Sequence, residues 1–172
     1  MTNKEIVIDK DISLEHLSIN RLKEFFSLCQ RINKSGMNYL PEMVKLCTDL
    51  ESTHICLDDY QVKYSETEAP DFFIKLDGEI VGVIGFHPWK KESPVAEMAF
   101  WVSPESQGKG VATRAVNFLT SYSFDKFSLN KIELLIEFEN TKSISLARKC
   151  GFQLGEDRGE GTMTYKNYFQ LC

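Results

Sequence analysis

The sequence predicts an α/β fold with a mixed, mostly antiparallel central sheet flanked by helices. Three observations lead there. Two apolar runs, Asp71–Leu76 and residues 79–87, are separated by Asp77-Gly78, a dipeptide that favours a two-residue hairpin turn. The run Val95–Val102, a glycine-rich turn, an amphipathic stretch over 109–124 and the alternating run 131–138 read as strand, turn, helix and strand, a right-handed β-α-β crossover. Antiparallel strands followed by one crossover make the sheet mixed.

The elements follow in order. Residues 5–9 form a short strand. Residues 14–32 place Leu14, Leu17, Leu22, Phe25, Phe26, Leu28, Cys29 and Ile32 at helical spacing, and Gly36 and Pro41 end that pattern. A second helix is expected within 41–60, and the polar segment 64–70 reads as a loop. After the hairpin and the crossover, Asn140 sits where a helix N-cap belongs, with Ser143 three residues on. Gly151 sits where that helix ends. Residues 152–153 and 162–169 supply the closing strands.

The 172 residues suit one domain spanning 1–172, and 42% hydrophobic residues are enough for a core. A net charge of −5 argues against broad affinity for nucleic acid or anionic membranes. A polyanionic ligand would therefore have to meet local cations, and Lys109, Arg114, Lys142, Arg148 and Lys149 lie in the relevant half. The five cysteines are odd in number and lack C-x-x-C spacing, so a disulfide framework or zinc site is not expected. With no signal-like start and no apolar run of membrane-spanning length, the expectation is a cytoplasmic protein. The three histidines are scattered and make no metal pattern.

The turn between strand and crossover helix is the most informative segment. It runs Ser103-Pro104-Glu105-Ser106-Gln107-Gly108-Lys109-Gly110-Val111-Ala112-Thr113. Backbone N–H groups at such a turn point outward, where the helix dipole favours an anion. Lys109 is followed by Gly110 rather than Ser or Thr, which excludes the Walker form, and Thr113 stands where the dinucleotide fingerprint needs its third glycine. Gln107, Gly110 and Ala112 fit the remaining form, Q/R-x-x-G-x-G/A. An ordinary glycine turn capping a core helix is the alternative.

That loop resembles the pyrophosphate loop of the GNAT acyltransferases, which bind acetyl-CoA. The resemblance extends through Ala96-Glu97-Met98-Ala99-Phe100-Trp101-Val102, Asn140-Thr141-Lys142-Ser143 and Lys149-Cys150-Gly151-Phe152, in the manner of the RimJ/RimL branch. It covers about residues 72–169, and the N-terminal part matches only loosely. It implies a GNAT-like sheet with a splay between strands 4 and 5, and acetyl-CoA as cosubstrate with no metal. It also implies N-acetyl transfer to a primary amine. The expected acceptor is a protein N-terminal amine of ribosomal-protein type. The alternatives are a small-molecule amine (polyamine, amino acid, antibiotic) and a silent acyl-CoA-binding domain. Dimers are common among relatives, so a homodimer is the expected assembly.

The resemblance also implies roles for residues. Backbone at Phe100, Trp101 and Val102 would pair with the pantetheine arm and polarise the acetyl carbonyl. Gln107, Gly108, Lys109, Gly110, Val111, Ala112 and Thr113 would take the pyrophosphate, with Lys149 nearby. Asn140 would bond the pantetheine amide, and Ser143 would protonate the leaving thiolate, although both also make a satisfactory helix start. Acetyl transfer needs a neutral amine, because lysine-type amines titrate near ~10.4. Glu97, on the strand face shared with Ala99 and Trp101, is one candidate base; a cross-strand ion pair is its alternative. Glu160, in the loop after Arg158-Gly159, is the other; an exposed loop charge is its alternative. Tyr39, Phe86, His87, Trp89 and Trp101 are candidate acceptor-pocket residues, or else core.

Overall fold

A computed structural model describes residues 5–67, 71–86, 93–159 and 162–168. Its strands are β1 (Ile6–Val7), β2 (Ile12–His16), β3 (Asp71–Leu76), β4 (Glu79–Phe86), β5 (Val95–Val102), β6 (Lys131–Glu137), β7 (Gln153–Gly159) and β8 (Thr162–Tyr168). They form one sheet in the order β1-β2-β3-β4-β5-β6-β8-β7. Among the described residues only β5 and β6 run parallel. The helices are α1 (Leu22–Lys34), α2 (Glu42–Leu46), α3 (Leu50–Thr67), α4 (Val111–Phe127) and α5 (Thr141–Lys149).

The hairpin forms as the sequence suggests. Asp77 (φ 50°) and Gly78 (φ 88°) both take left-handed backbone, which a type I′ turn between β3 and β4 demands. Residues of β3 are buried on both faces, because helices cover both sides of the sheet. Phe72 and Ile74 join the core under α4 and α5, together with Ile84, Val116, Leu119 and Ile132. Phe73 joins the core under α1, α2 and α3, together with Phe25, Leu28, Leu57 and Val83.

The N-terminal third differs from expectation. The helical spacing over 14–32 holds only from Leu22 onward; Ile12 and Leu14 instead belong to β2, buried between β1 and β3. Leucines at 14 and 17 fit a strand followed by a turn as well as they fit a helix, and sheet pairing decides the matter. The helix expected within 41–60 is two helices. Asp49 breaks it by capping α3, its Oδ1 accepting from the Ser52 N–H at 2.8 Å. The supposed loop at 64–70 is helical as far as Thr67. The additional strand β2 also shifts the count, so the splay expected between strands 4 and 5 lies between β5 and β6.

Two local constraints hold the frame around that splay. Gly82 on β4 lies against β5, and a Cβ there would sit 2.1 Å from the Trp101 carbonyl oxygen. Arg114, in the first turn of α4, reaches back to the β1–β2 connection, with Nη1 2.9 Å from Asp9 Oδ2 and 2.8 Å from Asp11 Oδ1. Desolvation pushes the Asp9 carboxyl up. The Ile12 and Asp11 N–H groups and the Arg114 guanidinium outweigh it and bring Asp9 down to about 2.

Two outcomes are expected. Gly82→Ala should cost about 3 kcal/mol or more, because the obstructing atom is backbone and β4 must move off β5; denaturant unfolding at neutral pH measures it. The depressed Asp9 value means its contribution is complete above its ordinary 3.8 and is lost as pH falls through about 2. The stability difference between wild type and Asp9→Asn in urea titrations should therefore be constant above about pH 5 and shrink towards about pH 2.

Candidate active site

Pairing between β5 and β6 is confined to Val95, Ala96 and Glu97 against Lys131, Ile132 and Glu133. Beyond Glu97 the two strands part. The orientation of the β5 backbone past that point follows from its bonds. The Ser103 N–H donates to the Val81 oxygen at 2.7 Å, so odd-numbered groups face β4. The Pro94 oxygen accepts from Asn130, and the Val102 oxygen accepts from Gln107 Nε2 at 3.1 Å, so even-numbered groups face the opening. The N–H groups of Phe100 and Val102 thus border the wedge left by β6.

The glycine turn closes the top of the wedge. Gly108 (φ 74°) and Gly110 (φ 77°) are left-handed, and a Cβ on either would meet nothing within 4 Å, so their surface is open. The helical register starts with the Arg114 N–H donating to the Gly110 oxygen at 3.0 Å. The preceding N–H groups, from Gly108 to Thr113, have no acceptor among the described residues. Gln107 differs: its N–H is taken by the Pro104 oxygen at 3.2 Å. Its side chain ties the turn to Val102, while its Oε1 accepts from Lys142 Nζ at 3.4 Å.

A groove of about 1360 Å³ joins these parts. Its volume exceeds the roughly 300–1,000 Å³ usual for small-molecule sites. Phe100, Trp101, Val102, Gln107, Gly108, Gly110, Val111, Ala112, Thr113, Asn140, Ser143 and Lys149 all line it. Lys109 is exposed and is not part of the lining. Of the cations considered from sequence, Lys142 and Lys149 reach the groove, whereas Arg114 is engaged by Asp9 and Asp11.

Asn140 caps α5, its Oδ1 accepting from the Ser143 N–H at 3.2 Å. Its Nδ2 and the Ser143 hydroxyl bond no acceptor among the described residues, and both residues also line a smaller cavity of about 170 Å³ deeper in the splay. Glu97 lines that smaller cavity and not the main groove. Cys150 is buried, its thiol pushed up by that burial, as expected of a structural residue.

The far end of the groove is built by the α1–α2 connection, α3 and the facing side of the sheet. Tyr39 and Trp101 line it, the latter packed on Phe25 with ring centroids 6.2 Å apart. Phe86 does not: it is 1% exposed in the core under α4, because its strand position turns it to the opposite face. His87, Trp89 and Glu160 lie outside the described residues. Glu42, Tyr60, Asp71, Gly85 and Glu139 line this end and were not singled out from sequence. One signal was present: an aspartate directly before the apolar run Phe72-Phe73-Ile74 of a strand buried on both faces. Burial, then the Asp71 charge, holds the Tyr60 phenol well above its usual range. Burial, then Glu139 and Glu137, raises Tyr39. The groove is thus polarised, with open amides and lysines at one end and carboxylates with phenols at the other.

Comparison with known proteins agrees with this layout. The sequence model of acetyltransferase (GNAT) domains matches residues 12–153. The spermidine N(1)-acetyltransferase of Escherichia coli K12 is 36% identical over 118 residues, spanning 67% of this chain but only 63% of that protein. The ribosomal-protein-serine acetyltransferase of the same organism is 22% identical over 149 residues, 87% of this chain and 83% of that one. Among solved structures, the ribosomal L7/L12 α-N-protein acetyltransferase RimL in complex with coenzyme A superposes with a TM-score of 0.85 at 16% identity, covering 96% and 98% of the two chains. The microcin C7 self-immunity acetyltransferase MccE, in complex with acetyl-CoA and AMP, gives 0.81 at 21% identity, covering 94% of each. At those identities the structures speak for the fold alone, but the parted strands, the glycine turn and the match over most of the chain coincide: this chain belongs to the GNAT acetyltransferase family.

Proposed function

We propose that this protein is an acetyl-CoA-dependent N-acetyltransferase that moves acetyl directly from the thioester to a primary amine. The observation that carries it is the continuous groove running from the open amides of Gly108 to Thr113, past the edge of β5 from which β6 has parted, to a carboxylate-lined end. The amides and the helix dipole suit a diphosphate, and Lys142 and Lys149 add charge. The Phe100 or Val102 N–H is placed to donate to the carbonyl oxygen as it gains charge. Asn140 Nδ2 is the donor left for the pantetheine amide, and Ser143 Oγ supplies the thiolate's proton. Glu97, deeper in the splay, takes the amine's proton through water. A cytoplasmic setting fits the buried cysteines Cys29, Cys47, Cys56 and Cys150, which form no disulfide among the described residues.

The named relatives represent two acceptor classes, a polyamine and a ribosomal-protein serine. Glu42, Asp71 and Glu139 at the groove's end favour a small cationic amine over a protein N-terminus. Thiol release with a panel of polyamines and peptide N-termini tests this: polyamines should turn over with the higher kcat/KM, and turnover of peptides alone would reverse the assignment.

The cofactor end has its own test. Gly110→Asp sets a carboxylate where the diphosphate should lie, and like charges repel strongly there. Gly110→Asn imposes the same backbone demand without charge. Acetyl-CoA affinity, by calorimetry, should fall about tenfold or more in the aspartate variant relative to the asparagine variant, with similar melting temperatures for the two. Equal affinities would remove this turn from the site.

A further inference from the structure

Resting on that transfer reading, we propose that Asp71 selects the acceptor by holding a second ammonium, one short aliphatic spacer away from the attacking amine, so that diamines are preferred to monoamines. Asp71 pairs with Gly85, and Gly85 with Ala99, so the three form one row across the sheet on one face. Between Asp71 and the rim of β5 that row consists of Gly85 and Ala99, so its own side chains add no more than a methyl group to the floor. The adjacent row, Phe73, Val83 and Trp101, is bulky and forms one bank of a trough. Asp71, Gly85 and Ala99 all line the groove, and Asp71 is 5% exposed at its wall. Its backbone is fixed by the Leu17 N–H, which donates to the Asp71 oxygen at 3.1 Å.

Distance assigns the role. Two pairings of about 5 Å each place the Asp71 and Ala99 Cα atoms roughly 10 Å apart. An amine attacking a carbonyl held at the Phe100 N–H lies beyond Ala99, too far for Asp71 to take its proton directly, since that needs about 3 Å. A cation separated from that amine by a propane- or butane-length chain, lying along the glycine–alanine row, does reach the carboxylate. A buried carboxylate attracts a cation more strongly than an exposed one, because low dielectric strengthens the pairing. Tyr60, whose phenol feels the Asp71 charge, lies beside the same cation position and stays a hydrogen-bonding phenol.

The test compares putrescine with n-butylamine, which differ by the distal ammonium. By calorimetry on the protein loaded with coenzyme A, wild type should bind putrescine about tenfold or more tighter, and Asp71→Asn should lose that advantage while keeping acetyl-CoA affinity and melting temperature. In turnover assays the loss should appear mainly in KM for putrescine, with KM for n-butylamine rising far less. Equal wild-type affinities for the two probes would overturn the inference without any variant, as would an Asp71→Asn defect equal for both amines. Putrescine binding that depends on Asp71 but yields no thiol release would instead overturn the transfer reading and leave the recognition role standing.

Discussion

The structure depends on where β5 and β6 stop pairing. Three residues of each strand are joined, and then the ladder ends while both strands continue. Main-chain groups inside a sheet ordinarily find partners across it, so a rim left open there is unusual. The molecule answers part of the demand itself: the Gln107 side chain takes the place of a neighbouring strand at the Val102 oxygen. In doing so it fixes the glycine turn relative to the rim, so the groove's two halves keep their spacing.

The open rim requires rigidity elsewhere, and the two cores provide it from opposite faces. The larger one, under α4 and α5, fixes β5, β6 and the helix that starts at the glycine turn. The other, under α1, α2 and α3, fixes the facing side of β3 and β4, where the groove ends. A buried charge network stiffens that second face. Glu15 is 5% exposed and is held by Arg21 through two contacts, at 2.8 and 2.9 Å, and by Lys75 Nζ at 3.2 Å. Such a network contributes little net stability against an apolar replacement, but removing one member strands the others in low dielectric. Its value is in orienting β2 and β3 and the start of α1.

The chain from the β3–β4 hairpin onward was legible because its signals are local. Asp77-Gly78 dictates a left-handed pair, Gly108 and Gly110 dictate an open turn, and Asn140 and Gly151 bracket α5. The glycine turn and Asn140–Ser143 could be read as one site only because the resemblance supplied the distance between them, which spans some thirty residues of chain. The N-terminal third was less legible. Leu14 carries the same apolar signal in a strand as in a helix, and β2 exists because β1 and β3 flank it. Of the far end of the groove, only Tyr39 and Trp101 were named from sequence. Asp71, Gly85 and Ala99 are far apart in sequence and become one surface only through strand register, which no local pattern encodes. Phe86 shows the same limit from the other side: sequence left pocket and core both open for it, and strand parity sends its ring into the core.

An unsatisfied strand border on the outside of a protein invites extended segments of other chains to stack onto it, and natural sheets blunt such borders. Here the border lies inside the sheet, where β5 and β6 diverge, and not at its outer margin. With β4 on one side and β6 on the other, a foreign strand finds no continuous edge to extend, while the groove keeps the same amides within reach of a ligand.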